Sequence, residues 1–138
     1  MYNQNDRNKA IIDEFRANGG KVGGLFAGRT LLLLHTIGAK SGLERTNPVA
    51  YVSDGDRLVI IASKGGAPTN PDWYHNLVAN PLATVEVGTE KFQVRAAVAV
   101  EPERTRLFSK MVEMMPGFAD YQHKTNRVIP VFILTRAK

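Results

Sequence analysis

Two apolar runs, Thr46 to Ser53 and Arg57 to Ser63, meet at Asp54-Gly55-Asp56. Asp-Gly between such runs predicts a tight β-hairpin, because glycine accepts the positive φ that a short turn needs. Asp54 and Asp56 resemble paired carboxylates, but turn chemistry accounts for both. The hairpin commits the chain to antiparallel pairing, and the surrounding runs extend the pattern. Thr30 to Thr36 reads as a short strand, apolar enough to be buried on both faces. Leu82 to Val87 and Lys91 to Val100 predict a second hairpin around Gly88-Thr89, and Val128 to Thr135 a closing strand.

Helices punctuate the strands. Asn5 to Asn18 places Ile11 and Phe15 one turn apart and stops at Asn18-Gly19-Gly20. Such a helix packs on its own domain or serves as a lid or surface anchor. Asn70-Pro71-Asp72 opens a short helix through Asn80, with Asp72 expected to help cap it and Asn80-Pro81 ending it. From Pro102 to Met115, Leu107, Met111, Val112 and Met115 share one face, with Glu103, Arg104, Arg106 and Lys110 largely opposite. That methionine spacing reads as core. Pro116-Gly117 breaks the helix, and a short one follows from Phe118 to Lys124. About six strands with three or four short helices predict a mainly β (α+β) antiparallel barrel with helices on its rim, not a βαβ sheet.

The 138 residues suit one domain, residues 1–138, with an N-terminal helix within 1–20 and a barrel core over 28–136. With no cysteine, disulfides and thiolate metal sites are excluded. The polar start MYNQNDRNKA lacks a secretory h-region, and the longest purely apolar run, Leu31 to Leu34, is far below a membrane span. A cytoplasmic protein with at most weak membrane-surface contact is expected. His35, His75 and His123 show no metal spacing, so no metal is expected, and His35 reads as a satisfied structural histidine. Walker A, GxGxxG and nucleophile-elbow patterns are all missing. An enzyme of this composition would draw its chemistry from a cofactor.

The net charge of +5 favours an anionic partner. Its placement narrows the choice. Gly38 to Arg45 carries Lys40, Ser41 and Arg45 just after a strand, and Ser63 to Gly66 sets Lys64 beside two glycines. Lysine and arginine donate to phosphate or carboxylate, and glycine lets backbone N–H groups approach an anion closely. Trp73, at the next helix start, could wall a planar ring. Solvated loop charges would explain each loop alone. The clusters are too small, and the other basic residues too dispersed, for nucleic acid.

The segments "TIGAKSGLERTNPVAYV", "DGDRLVIIASKGGAPTNPDWYHNLVANP" and "PGFADYQHKTNRVIPVFIL" resemble the deazaflavin-dependent nitroreductase family of split β-barrel proteins. The resemblance covers roughly Gly28 to Thr135, with the motifs in order and spacing. It implies a split barrel of the FMN-binding type holding coenzyme F-420, an 8-hydroxy-5-deazaflavin with a phosphate and an oligoglutamate tail. It places Lys40, Ser41 and Arg45 on the tail and phosphate, and Thr46, Asn47, Pro48, Val49 and Ala50 along the strand beside the cofactor. Ile61, Ala62, Ser63 and Lys64 fall near the ring and linker, and Trp73, Tyr74 and Asn76 at the flanking helix start. The implied reaction is hydride transfer from the reduced cofactor to a flat small-molecule electrophile such as a quinone, activated alkene or nitroaromatic. Tyr121 is the candidate proton donor or orienting group, with Ser63 second.

One departure bears on the substrate. In "MMPGFADYQ", Met115 and Phe118 stand where the family's substrate wall can carry tyrosines, and Tyr121 alone keeps a hydroxyl. The pocket of Met115, Phe118 and Tyr121 is more apolar for it, suiting quinones and enones better than nitroimidazoles. Two other readings compete: an FMN-dependent split-barrel oxidoreductase, and a barrel that binds the deazaflavin without turnover. A homodimer is possible, through exposed barrel edges.

Overall fold

The structure is a computed structural model and describes residues 4–20 and 30–137. Its elements run α1 (Gln4–Ala17), β1 (Leu31–Ile37), β2 (Glu44–Asp54), β3 (Arg57–Ile61), a 3₁₀ turn (Lys64–Gly66), α2 (Asp72–Ala79), β4 (Leu82–Val87), β5 (Glu90–Val98), α3 (Glu103–Met114), α4 (Gly117–His123) and β6 (Val131–Arg136). Six antiparallel strands close a barrel in the order β1-β2-β3-β6-β5-β4. Residues 28 and 29, included in the expected barrel core, lie outside the described residues.

Strand alternation sorts the apolar side chains into three groups. Leu32, Leu34, Ile60, Val85, Val94, Phe132 and Leu134 point inward and fill the barrel, where Trp73 and Leu77 of α2 join them. On the outer face, Val59, Ile61, Val131 and Ile133 pack under Leu107, Phe108, Met111 and Met115 at α3 and Phe118 of α4. Elsewhere on the outside, Leu31 and Leu33 receive Phe15 of α1, which is 1% exposed. The N-terminal helix therefore packs on its own barrel.

Several expected boundaries move. β2 starts at Glu44, two residues early, because β1 bonds back through the Ile37↔Glu44 and Thr36↔Arg45 pairs. β3 stops at Ile61, since Ser63 already has helical φ/ψ leading into the 3₁₀ turn. The strand expected from Val128 begins only at Val131. Pro130 has no N–H for a ladder, and the Ile129 carbonyl is taken by Arg104 at 2.8 Å. That contact also corrects the placement of Arg104 on the solvent face of α3, for it reaches across to the chain before β6. Asp72 does not cap α2: Pro71 occupies that position without a side-chain bond, and Asp72 lies in the first turn. Asp54 does more than turn, since its carboxylate takes Arg57, Arg106 at 3.1 Å and Lys110 at 3.2 Å, tying the β2–β3 hairpin to α3.

The barrel wall is partly open between β2 and β3, along a seam. β2 pairs with β1 along its length, from Leu31↔Ala50 to Ile37↔Glu44. On its other side, β2 pairs with β3 only from Tyr51↔Ile60 to Asp54↔Arg57. The Tyr51 N–H bonds the Thr30 carbonyl at 3.1 Å, so odd residues of β2 face β1. Even residues turn their backbone groups toward the seam. Pro48 falls in this even set, where a missing N–H costs no ladder bond to β1.

Candidate functional site

Two loops border the seam. The first, between β1 and β2, is a compact turn. Gly42 N–H donates to the Gly38 carbonyl at 2.9 Å and Gly38 N–H to the Leu43 carbonyl at 2.8 Å. The Ser41 hydroxyl accepts from Leu43 N–H at 3.2 Å and occupies the space where a side chain at Gly38 would begin. Ser41 thus shapes the turn. Lys40 projects from it and Arg45 from the start of β2, both exposed, and neither has a charge or side-chain hydrogen-bond partner among the described residues.

Asn76 holds this turn in place. It is 6% exposed, and its amide receives Ala39 N–H at 2.9 Å and donates to the Thr36 hydroxyl at 3.0 Å. Asn76 is therefore a tether between α2 and the basic turn. Trp73 lies 8% exposed in the barrel interior, its ring centroid 5.8 Å from that of Phe132, and Tyr74 also edges Phe132 at 5.7 Å. These two rings cork the barrel.

The second loop is organised by a residue to which the sequence assigned no role. The Arg127 guanidinium donates to the carbonyls of Ala62 at 3.2 Å, Ser63 at 2.7 Å and Ala67 at 3.0 Å, and to Asn70 Oδ1 at 2.7 Å. A planar fork is suited to gathering several acceptors at once. Desolvation pulls its pKa below the ordinary value. Gln122 ties the support together by accepting from Arg104 at 2.8 Å and Ile129 N–H at 3.1 Å and donating to the Arg127 carbonyl at 2.7 Å. In the sequence, Arg127 showed only as part of Arg127-Val128-Ile129-Pro130 in the closing segment.

So held, the 3₁₀ turn lies against α4. Lys64 has φ +49, a left-handed conformation rare for a side-chain-bearing residue. Its Nζ reaches Thr69 Oγ1 at 3.3 Å. Gly66 has φ +84, and a Cβ there would come within 2.8 Å of both Lys124 Cβ and the Tyr121 carbonyl. Tyr121 is half-buried, edge-on to Phe118 at 5.2 Å, with Lys124 Nζ 5.9 Å from its ring centroid. Met115 and Phe118 are mostly buried in the packing under α3 and α4, leaving Tyr121 the more open of the three. Ser63 is 8% exposed at the start of the turn.

The expected cofactor residues thus divide by face. Val49 and Ala62 lie in the barrel interior. Ile61 packs outside, beneath α4, and Ala50 sits between the two outer clusters. Thr46, Asn47 and Pro48 are half-buried along the seam, with Thr46 Oγ1 3.0 Å from His35 Nδ1. Among the described residues no cluster of His, Asp or Glu could hold a metal ion, and no helix is long and apolar enough to cross a membrane.

The model of the F420H(2)-dependent quinone reductase family matches residues 7–136. The chain belongs to that family. A curated F420H(2)-dependent quinone reductase of Mycobacterium tuberculosis is 42% identical over 126 residues, covering 88% of this chain and 85% of its own. A solved F420-H2 dependent reductase is 40% identical, with a TM-score of 0.71, over 77% of this chain and 94% of its own. Another solved relative, described as a domain-swapped dimer, is 34% identical with a TM-score of 0.73, over 96% of this chain and 99% of its own. As a member of the F420H(2)-dependent quinone reductase family, the chain is an oxidoreductase whose cofactor is coenzyme F-420, on a split-barrel fold.

Proposed function

We propose that this chain reduces a quinone at the seam between β2 and the 62–70 loop, holding reduced coenzyme F-420 by its anionic tail. The observation that carries this reading is the pair of exposed cations without a partner among the described residues, Lys40 on a turn fixed by its own backbone bonds and by Asn76, and Arg45 at the start of β2 just beyond it. Cations left free of internal partners are available to phosphate and carboxylate, and the tail of the coenzyme offers both. The donor set fits the group.

When bound, the reduced coenzyme supplies a hydride. Each protein residue then has a limited task. Arg45 would offer the tail a bidentate fork and Lys40 a compact charge. Thr46 presents a backbone N–H along the seam. Ser63, whose carbonyl Arg127 holds, and the adjacent Lys64 would border the ring. Met115 and Phe118 keep the acceptor side apolar. Tyr121, with its hydroxyl free of protein partners among the described residues, is our candidate to donate a proton or orient the acceptor oxygen. Ser63 is the second candidate. A homodimer is supported by the domain-swapped relative.

Fluorescence titration with coenzyme F-420, with FMN in parallel, tests the reading. Tight binding of the deazaflavin, weakened in Lys40→Ala/Arg45→Ala, is expected, and the loss should be larger at low salt because screening shrinks the charge contribution. Unchanged affinity in the double variant would remove the clamp, and binding of FMN alone would remove the cofactor assignment.

A further inference from the structure

His35 occupies the outer face of β1 at 6% exposure, between two carboxylates. Its Nδ1 lies 2.9 Å from Glu44 Oε1 and 3.0 Å from Thr46 Oγ1, and its Nε2 lies 2.6 Å from Glu86 Oε2. An ionised carboxylate only accepts, so both contacts are satisfied only when both ring nitrogens carry hydrogen. Glu86 is gripped in turn by Arg16 of α1, at 3.2 and 2.8 Å. The charged groups around the ring are Glu44 from β2, Glu86 from β4 and Arg16 from α1, with Asp13 near Arg16. Lys91 from β5 lines the same cavity of about 290 Å³, which also borders His35 and Glu44 and gives water a route to the ring.

The partners of this histidine matter because of what lies between them. Glu44 and Thr46 flank Arg45. They belong to the half of β2 that lies beyond the last pair with β3. That half depends on β1 for its order, and His35 is the β1 side chain that binds it.

We propose that His35, protonated on both nitrogens, is a positioning residue for the coenzyme clamp. It fixes Glu44 and Thr46 and thereby the direction of Arg45. Removal of one proton turns a lone pair toward a carboxylate. Glu86 keeps Arg16, whereas Glu44, 64% exposed, is free to leave. The start of β2 then loosens as the solution becomes alkaline. The inference rests on the reading that Arg45 grips the tail.

Two readouts test it. In the protein alone, hydrogen-exchange protection of residues 44–50, corrected for the intrinsic rate, should fall roughly tenfold as the solution is taken from mildly acidic to alkaline. His35→Gln should show low protection throughout. In titrations, the Kd for coenzyme F-420 should rise over the same range by roughly five- to tenfold, while His35→Gln binds weakly with a flatter profile. The coenzyme's own ionisation acts on both proteins alike and cancels in the comparison. Should His35→Gln fail to fold, Glu44→Gln cuts the same link at its exposed end and should flatten both profiles. Protection of 44–50 that does not change with pH, or a variant that keeps the wild-type profile, overturns the proposal. Wild-type protein that binds no coenzyme overturns the clamp reading, while the exchange measurement still decides the role of His35.

Discussion

The Arg127 guanidinium donates to the Ser63 carbonyl at 2.7 Å across 64 residues of sequence. The bond reaches from the segment before β6 to the start of the turn that carries Lys64, and three further bonds from the same side chain hold Ala62, Ala67 and Asn70. Replacement by lysine keeps a charge but offers one ammonium to four spread acceptors. Arg127→Lys should lose about 1–3 kcal/mol of stability and weaken coenzyme binding as the loop loosens. Urea unfolding and exchange protection over residues 62–70 check both effects, and wild-type protection there would show that the loop holds itself.

Gly66 carries two demands at once, a φ of +84 and contact with α4 that leaves no space for a Cβ. Gly66→Ala should therefore cost at least about 2 kcal/mol, from left-handed strain plus displacement of Lys124 or the Tyr121 carbonyl. Equilibrium denaturation measures it. A loss well under about 1 kcal/mol would mean the turn and α4 separate easily.

Stability should fall in acid through Glu86. Its carboxyl is held at about 2, against 4.5 for a free glutamate, first by the Arg16 hydrogen bond and also by His35. The folded form thus binds this proton less readily than the unfolded chain. The contribution is present above about 4.5 and is lost as pH falls toward about 2. Arg16→Ala should flatten that part of the stability curve, by a modest amount because Arg16 is half exposed. Urea midpoints across this range decide it, and identical slopes in the two proteins would remove Arg16 as the cause.

Tyr121→Phe should lower turnover of menadione by roughly ten- to a hundredfold if the hydroxyl moves a proton, with coenzyme affinity nearly intact. A wild-type rate would reduce Tyr121 to packing against Phe118.

What the sequence revealed depended on range. Asp54-Gly55 set its hairpin because the turn is decided within a few residues, and Leu107, Met111 and Met115 announced their buried face by spacing alone. The loops bearing Lys40, Arg45 and Lys64 were visible as charge beside glycine. The roles of Asn76, Arg104 and Arg127 were not, because each is defined by an acceptor far along the chain: Ala39 N–H and Thr36 for Asn76, the Ile129 carbonyl for Arg104, the Ser63 carbonyl for Arg127. Trp73 shows the same limit in reverse. An aromatic at a helix start reads equally well as a wall for a ring or as a core residue, and its packing on Phe132 lies 59 residues away in sequence.

The filled interior of the barrel has an evolutionary consequence. Leu34, Val94, Phe132 and Trp73 fill the inside, so on the function proposed above the residues that would meet the acceptor sit on α4 and the 62–70 loop outside it. Descendants of such a chain can exchange the residues around Tyr121 to accept new oxidants while their barrel stays as it was.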